Sequence, residues 1–389
     1  MERVPYPSLD TPAVLVDLVK LEANIKEMSQ QAAEAGVKLK PHTKVHGSAE
    51  IARMQIEAGA CGIEVGPVAQ AEAMAEAGID DILTAHPFYG DHKLEILKKL
   101  LLRPWLKITV TVDMIEQVEG ISRVGQAVGR KVPAYMKIDT SVEETDLRRF
   151  GTFPGEPTLN LVKKIDKLPG IELVGIYAHE MGTDFTPEGR DKTAYNVADI
   201  MAKTARMLRG EGIAIEDVAV GSSPTFRSTC RYKKEGKFPE INEIHPGGCV
   251  IGDIVYMVMG ANTIETCAAT VLTTVVSTSH EELAVLDTGF KTLSNDPLTG
   301  TEDMPGFSWR GMRRRSPIKG RPDLFLGFLG AESGFLYYMN PKKKLNLGER
   351  LEIIPNNATV IMNIHGEVYG VRNGLVERVI RVTGRGRGN

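Results

Sequence analysis

A lysine between two imidazoles, in Pro41-His42-Thr43-Lys44-Val45-His46, is the stretch of this chain best equipped to do chemistry. The apolar run from Val37 reads as a strand with Lys44 at its end, and a helical pattern starts after Ser48. Neighbouring cations favour the uncharged amine, and an uncharged lysine amine attacks carbonyl carbon. Position matters as much as residue type, because parallel α/β folds gather their chemistry at the carboxyl ends of strands. The other strand ends supply Glu64, His86, Asp113, Asp139 with Arg149 downstream, His179 after Tyr177, and Gly221-Ser222-Ser223. That collection is rich in groups that titrate or bind anions.

Each piece suggests a role. Gly221-Ser222-Ser223-Pro224-Thr225 is a small-residue loop whose amides and hydroxyls could cradle a phosphate. Gly247-Gly248, after the last strand of the series, could form a second wall of that anion site. The Arg149 guanidinium could reach a phenolate, a carboxylate or a phosphate. Tyr177 and His179 place a ring and an imidazole where either could stack on a planar cofactor or move a proton. Amine, phosphate loop, guanidinium and aromatic group in one mouth point to pyridoxal 5'-phosphate (PLP) as cofactor.

The elements that would hold these residues alternate regularly. Short apolar strands are expected at Val37–Lys40, Gly62–Val65, Asp81–Ala85, Lys107–Val112, Ala134–Ile138, Leu173–Tyr177, Val218–Val220 and Ile241–His245. Helical patterns separate most of them, with Gly59, Gly78, Gly129 and Gly170 placed as left-handed caps. About seven helices stand out, and the closure of the ring near Arg231–Pro239 has the least support. Eight strands alternating with helices predict a parallel (β/α)8 barrel over residues 18–246, since each parallel crossover needs a helix. After Pro246 helical periodicity nearly vanishes. Strand-like runs at Thr273–Ser279, Leu283–Asp287, Leu324–Leu329, Phe335–Met339, Arg350–Ile354, Thr359–Ile364 and Leu375–Val382 predict a mostly antiparallel β domain. That domain would hold 247–389, and residues 1–17 with the strand at Ala13–Asp17 would join it.

Composition narrows the function classes. A net charge of −3 over 389 residues speaks against a general nucleic-acid binder or an anionic membrane surface. No apolar run approaches the roughly 20 residues needed to span a bilayer. Met1-Glu2-Arg3-Val4-Pro5 lacks an apolar signal core, so the expected location is cytoplasmic. Cys61, Cys230, Cys249 and Cys267 show no CxxC spacing and read as reduced, buried thiols.

Set together, these motifs resemble the D-threonine aldolase/D-serine dehydratase family of fold-type III PLP enzymes, which share an alanine racemase-like barrel. The resemblance begins at Ser8-Leu9-Asp10-Thr11-Pro12-Ala13 and takes in a PHxKxH stretch at Pro41–His46, which makes Lys44 the implied cofactor-bearing lysine. It includes the run from Glu57 to Pro87, Asp139-Thr140 with Arg149-Phe150-Gly151, the phosphate loop from Gly221, and Leu286–Ser294. Glu243-Ile244-His245-Pro246-Gly247 is similar to its ExRPG segment, with His245 in place of arginine. The resemblance implies a lyase acting on a β-hydroxy D-amino acid, a small-molecule substrate, and a homodimer.

One departure is chemical. The family holds a divalent metal with an EEHG segment and a PNHxC or PNHxD segment. Here these positions read Ala331-Glu332-Ser333-Gly334 and Pro355-Asn356-Asn357-Ala358-Thr359, so no metal site is expected. That absence keeps a metal-independent amino-acid racemase or epimerase in view, with Lys44 serving one face of the substrate and His179, Tyr177 or a partner residue the other. A non-catalytic PLP-homeostasis protein is a third reading, against which the whole β domain speaks. Ser308-Trp309-Arg310-Gly311-Met312-Arg313-Arg314-Arg315 reads as a solvated loop, or as an arginine cluster for an acidic substrate or a neighbouring subunit.

Overall fold

The computed structural model describes residues 6–141, 150–180, 182–295 and 306–388. Two compact units are formed. One runs up to Asn24, adds Val45–Ser48 and resumes over Gly248–Arg385, and the other holds Ile25–Lys44 and Ala49–Gly247.

The first strand, β1 (Ala13–Asp17), is passed to the β unit, and α1 (Leu18–Ala35) follows it. Strand and helix then alternate through β2 (Lys38–Leu39), α2 (Ala49–Glu57), β3 (Ile63–Val65), α3 (Val68–Glu76), β4 (Asp81–Thr84) and α4 (Asp91–Leu101). The alternation continues through β5 (Lys107–Val112), α5 (Ile115–Val128), β6 (Val132–Lys137), α6 (Glu156–Ile165) and β7 (Ile171–Tyr177). It ends with α7 (Pro187–Gly210), β8 (Asp217–Val220), α8 (Phe226–Lys234) and β9 (Glu243–Ile244). All these strands pair in parallel in the order β2-β9-β8-β7-β6-β5-β4-β3. A parallel bridge between His42 and Glu64 joins the two ends of the sheet and closes the expected barrel.

Local chemistry explains the alternation. In α5, Val118, Ile121, Ser122 and Gly125 are buried at helical spacing. Its start is satisfied by Gln117, whose Oε1 accepts the amides of Asp113 and Met114 at 3.0 and 3.2 Å. Gly129 ends it at φ 69°, a left-handed cap that a side chain resists. Gly170, expected to be another such cap, is not left-handed. A Cβ there would sit 1.9 Å from the Ser122 carbonyl, so this glycine is required for close packing of the β7 entrance on α5. The eighth helix, α8, supplies the closure and overlaps the Arg231–Pro239 segment at its end. It begins directly behind the small-residue loop, because Ser222 accepts the amides of Thr225 and Phe226 and starts the winding there. Leu83, Ala85, Tyr135, Tyr177 and Ala219 pack together inside the barrel.

The β unit begins with α9 (Ile254–Val258), β10 (Ala269–Ser277), β11 (Leu283–Leu286), α10 (Phe290–Leu293), β12 (Ser308–Trp309) and β13 (Met312–Arg313). It continues with β14 (Leu324–Leu329), β15 (Gly334–Tyr338), β16 (Arg350–Ile353), α11 (Ala358–Ile364), β17 (Glu367–Arg372) and β18 (Leu375–Arg381). Its main sheet runs β14-β15-β11-β10-β1-β17-β18, with β16 paired to β10. Only the β1–β17 ladder among the described strands of this sheet is parallel. The strand expected at Thr359–Ile364 is instead the helix α11. Its β-branched residues favour a strand, but the Asn357 side chain accepts the Val360 amide and starts a helix. Cys61 is exposed, whereas Cys230, Cys249 and Cys267 are the buried free thiols expected.

Candidate active site

Lys44 does not extend from strand β2 but sits on a one-turn 3-10 helix, Thr43–Val45, just beyond it. The turn is pinned from below, where the buried Thr43 hydroxyl donates to the Glu64 carbonyl at 3.0 Å. The Lys44 amide donates to Nδ1 of His42 at 3.2 Å. Burial pushes the His42 pKa well below the ordinary imidazole value. Glu64 opposes that, while Lys44, His179 and His86 add to the depression. His42 is therefore a neutral imidazole whose Nδ1 faces the lysine's own backbone.

A cavity of about 1090 Å³, counting its open mouth, lies at this end of the barrel. It is lined by Lys44 and His42 with His86, Asp139, Thr140 and His179, and on the far side by Thr183, Lys192, Thr193 and Asn196 from the loop after β7 and from α7. Lys137, the last residue of β6, also lines it, although only 3% exposed. The Lys137 ammonium lies 3.5 Å from the centroid of the Tyr177 ring and 5.6 Å from that of Phe150. The sequence reading passed over Lys137, yet the period-two alternation from Tyr135 puts it on the same inward side.

The expected residues fall into three sets. Lys44, His86, Asp139 and His179 are brought together around the cavity. Tyr177 is fully buried beneath it, its ring 4.7 Å from that of His245, and does not line it. Gly221, Ser222, Ser223 and Gly247 form a connected group that also stays off the lining: the Gly247 amide donates to the Ser223 hydroxyl at 3.2 Å, and the Ser222 hydroxyl bonds Thr225 at 2.9 Å. Gly247 ties this group to the lysine turn, since a Cβ there would lie 2.1 Å from the His42 carbonyl. Arg149 lies outside the described residues.

Glu180 was not foreseen. Its buried carboxylate accepts the Gly221 amide at 2.8 Å and the Thr225 hydroxyl at 2.9 Å, so that amide is committed within the protein. Burial raises its pKa against those hydrogen bonds. His245 is held under the cavity between two carboxylates: Nε2 is 2.7 Å from Glu243, and Nδ1 is 3.5 Å from Glu64, an ion-pair distance. Burial disfavours its charge, but Glu64 and Glu243 outweigh it and lift the pKa to about 9. Arg314 is not solvated. It is 6% exposed, and its guanidinium lies 5.1 Å from the centroid of the Phe325 ring.

A (β/α)8 barrel with a lysine turn at its mouth, followed by a mostly antiparallel β unit, is the architecture of alanine racemase-like enzymes. The chain belongs to the family described as alanine racemase, N-terminal domain, which matches residues 16–254, and a putative serine dehydratase domain matches residues 268–371. It is 29% identical to D-threo-3-hydroxyaspartate dehydratase of Delftia sp. strain HT23, over 90% of this chain and 91% of that protein. It is also 29% identical to D-threonine aldolase of Arthrobacter sp., over 98% of this chain and 94% of that one. The crystal structure of D-threonine aldolase from Filomicrobium marinum superposes with a TM-score of 0.84 at 28% identity, covering 100% of this chain and 99% of that one.

PLP is the cofactor implied by the family, and the residues present fit it: Lys44 on the cavity wall would be the amine that holds it, and the Ser222 and Ser223 hydroxyls in front of α8 would be donors to its phosphate.

Proposed function

We propose that this chain is a PLP-dependent lyase acting on a β-hydroxy D-amino acid, by retro-aldol cleavage or by dehydration. The observation that carries the reading is Lys44 at the mouth of a cavity ringed by His42, His86, His179 and Lys137. PLP, when bound, draws electron density away from the substrate's α-carbon. Lys44 would hold the cofactor covalently, and Ser222 and Ser223 would anchor its phosphate on the turns that Gly221 and Gly247 shape. Arg149 is assigned to the cofactor ring. His179 holds or moves a proton within the cavity, and His42, kept neutral by burial with Nδ1 taken by the Lys44 amide, keeps its proton on Nε2 and serves as a hydrogen-bond donor. Tyr177 acts from beneath, where its ring carries the Lys137 ammonium. Lys137 and Lys192 make the cavity attractive to the substrate carboxylate.

A cytoplasmic homodimer is part of this proposal. Among the described residues no helix is long and apolar enough to cross a membrane. Sedimentation at twice the chain mass is the expected result. The deciding experiment incubates the PLP-loaded protein with D- and L-enantiomers of β-hydroxy and simple amino acids. D-substrates should yield a keto acid with ammonia, or an aldehyde with a smaller amino acid. Interconversion of enantiomers without cleavage would replace the lyase by a racemase. Absence of any turnover would leave only cofactor binding.

A further inference from the structure

Building on the lyase reading, we propose that this enzyme works without a divalent metal, because the positions where the resembling family places its ligands hold neutral side chains here, Asn357 capping a helix, Thr359 bonded to a buried phenol and Ser333 bearing only a hydroxyl. The Asn357 side chain is the N-cap of α11, and its Oδ1 accepts the Val360 amide at 3.3 Å. The next amide, Ala358, donates to Oδ2 of the fully buried Asp253 at 2.6 Å, while Oδ1 of the same carboxylate accepts the Tyr256 amide at 2.7 Å. Thr359 hydrogen-bonds the buried Tyr256 phenol. Asn356 accepts the Ser316 hydroxyl at 2.9 Å. The Asn356, Asn357 and Thr359 side chains thus each take part in a hydrogen bond of the fold.

The nearby charged groups do not repair the loss. The Glu332 side chain is 77% exposed and pairs with Lys291 at 2.6 Å, and Ser333 beside it offers a neutral hydroxyl. His365, at the end of α11, directs Nε2 to the Thr292 carbonyl at 3.3 Å, which makes that nitrogen the proton-bearing one and leaves Nδ1 as a single imidazole donor, short of the several a tight site needs. Among the described residues no group of at least three histidine, cysteine, aspartate or glutamate side chains converges as a metal site requires. A tight site needs charged or imidazole donors with free lone pairs, and this segment offers amides and hydroxyls already in use.

The test measures metal directly. Holoenzyme purified without chelator is assayed for bound ions by mass spectrometry and titrated with manganese and zinc chloride by calorimetry. The expected result is far less than one ion per chain and no saturable heat at micromolar ion. Turnover of whichever substrate the panel identifies should survive chelation and dialysis unchanged. About one ion per chain would overturn the proposal, as would a chelator-induced loss of about tenfold or more that manganese or zinc reverses. Metal content is read independently of turnover, so a protein inactive on every substrate would refute the lyase reading while the ion count still judges this one.

Discussion

His245 stands where the resembling family has an arginine, and the substitution reshapes the charges under the cavity. Glu64 and Glu243 hold the imidazolium, and their own pKa values are pushed down, that of Glu243 to about 2, against the upward push of burial. The folded protein therefore holds the His245 proton, with a pKa near 9, more tightly than an unfolded chain with the ordinary value of 6.5. Its stabilisation is fully present below that ordinary value and is lost as pH rises through about 9. Urea titrations from neutral pH to above 9 should show a loss on the order of 2–3 kcal/mol in wild type that His245→Gln does not share. Equal losses in both proteins would remove His245 as the source. Arg314 makes the opposite case, a buried cation with desolvation as its resolved influence. Arg314→Met should raise the melting temperature by a few degrees, as removing a costly desolvated charge does, and a lower melting temperature would show the Phe325 contact to be worth more. At this scale the sequence placed Lys44 and His179 just past strand ends, and both line the cavity. It did not reveal Glu180 or the burial of Tyr177, because the partners of a side chain depend on strands distant in sequence.

The barrel elements were readable because each carries its own period and its own stop. Two helices escaped for different physical reasons. The residues of α11 look like a strand until the cap at Asn357 is seen, and α8 hides because its polar run gives little apolar pattern beyond Phe226, Cys230 and Tyr232. Gly170 was misread for a related reason: a glycine behind a helix suggests a cap, whereas the carbonyl of Ser122 that demands it lies on another element. Gly247 carries a prediction here. It passes so close to the lysine turn that Gly247→Ala must displace the His42 backbone. Cofactor affinity measured by equilibrium dialysis should fall by about tenfold or more, while far-ultraviolet circular dichroism stays near wild type. Retained affinity would mean that the turn tolerates the shift. Ser223→Ala, which removes only the hydroxyl that accepts the Gly247 amide, should cost about 1 kcal/mol of cofactor binding.

Across the whole molecule, the sheet of the β unit is assembled from distant parts of the chain. β1 lies inside it, hydrogen-bonded to β10 on one side and to β17 on the other. A protein beginning at Leu18 would leave the edges of both strands open, so it should aggregate or lose the β unit to proteolysis. A soluble protein with an unchanged proteolytic pattern would contradict this. The barrel, by contrast, depends on one small closure. Its sheet ends meet at the His42–Glu64 bridge, reinforced by the amides of Cys61 and Glu64 donating to Leu39 and Pro41 at 2.9 Å each. A hoop is as firm as its clasp, and this clasp lies within a few residues of Lys44, the lysine proposed to carry the cofactor. Loading that lysine should therefore fasten the ring, and the amide hydrogens of Cys61 and Glu64 should exchange with deuterium more slowly in loaded protein than in stripped protein.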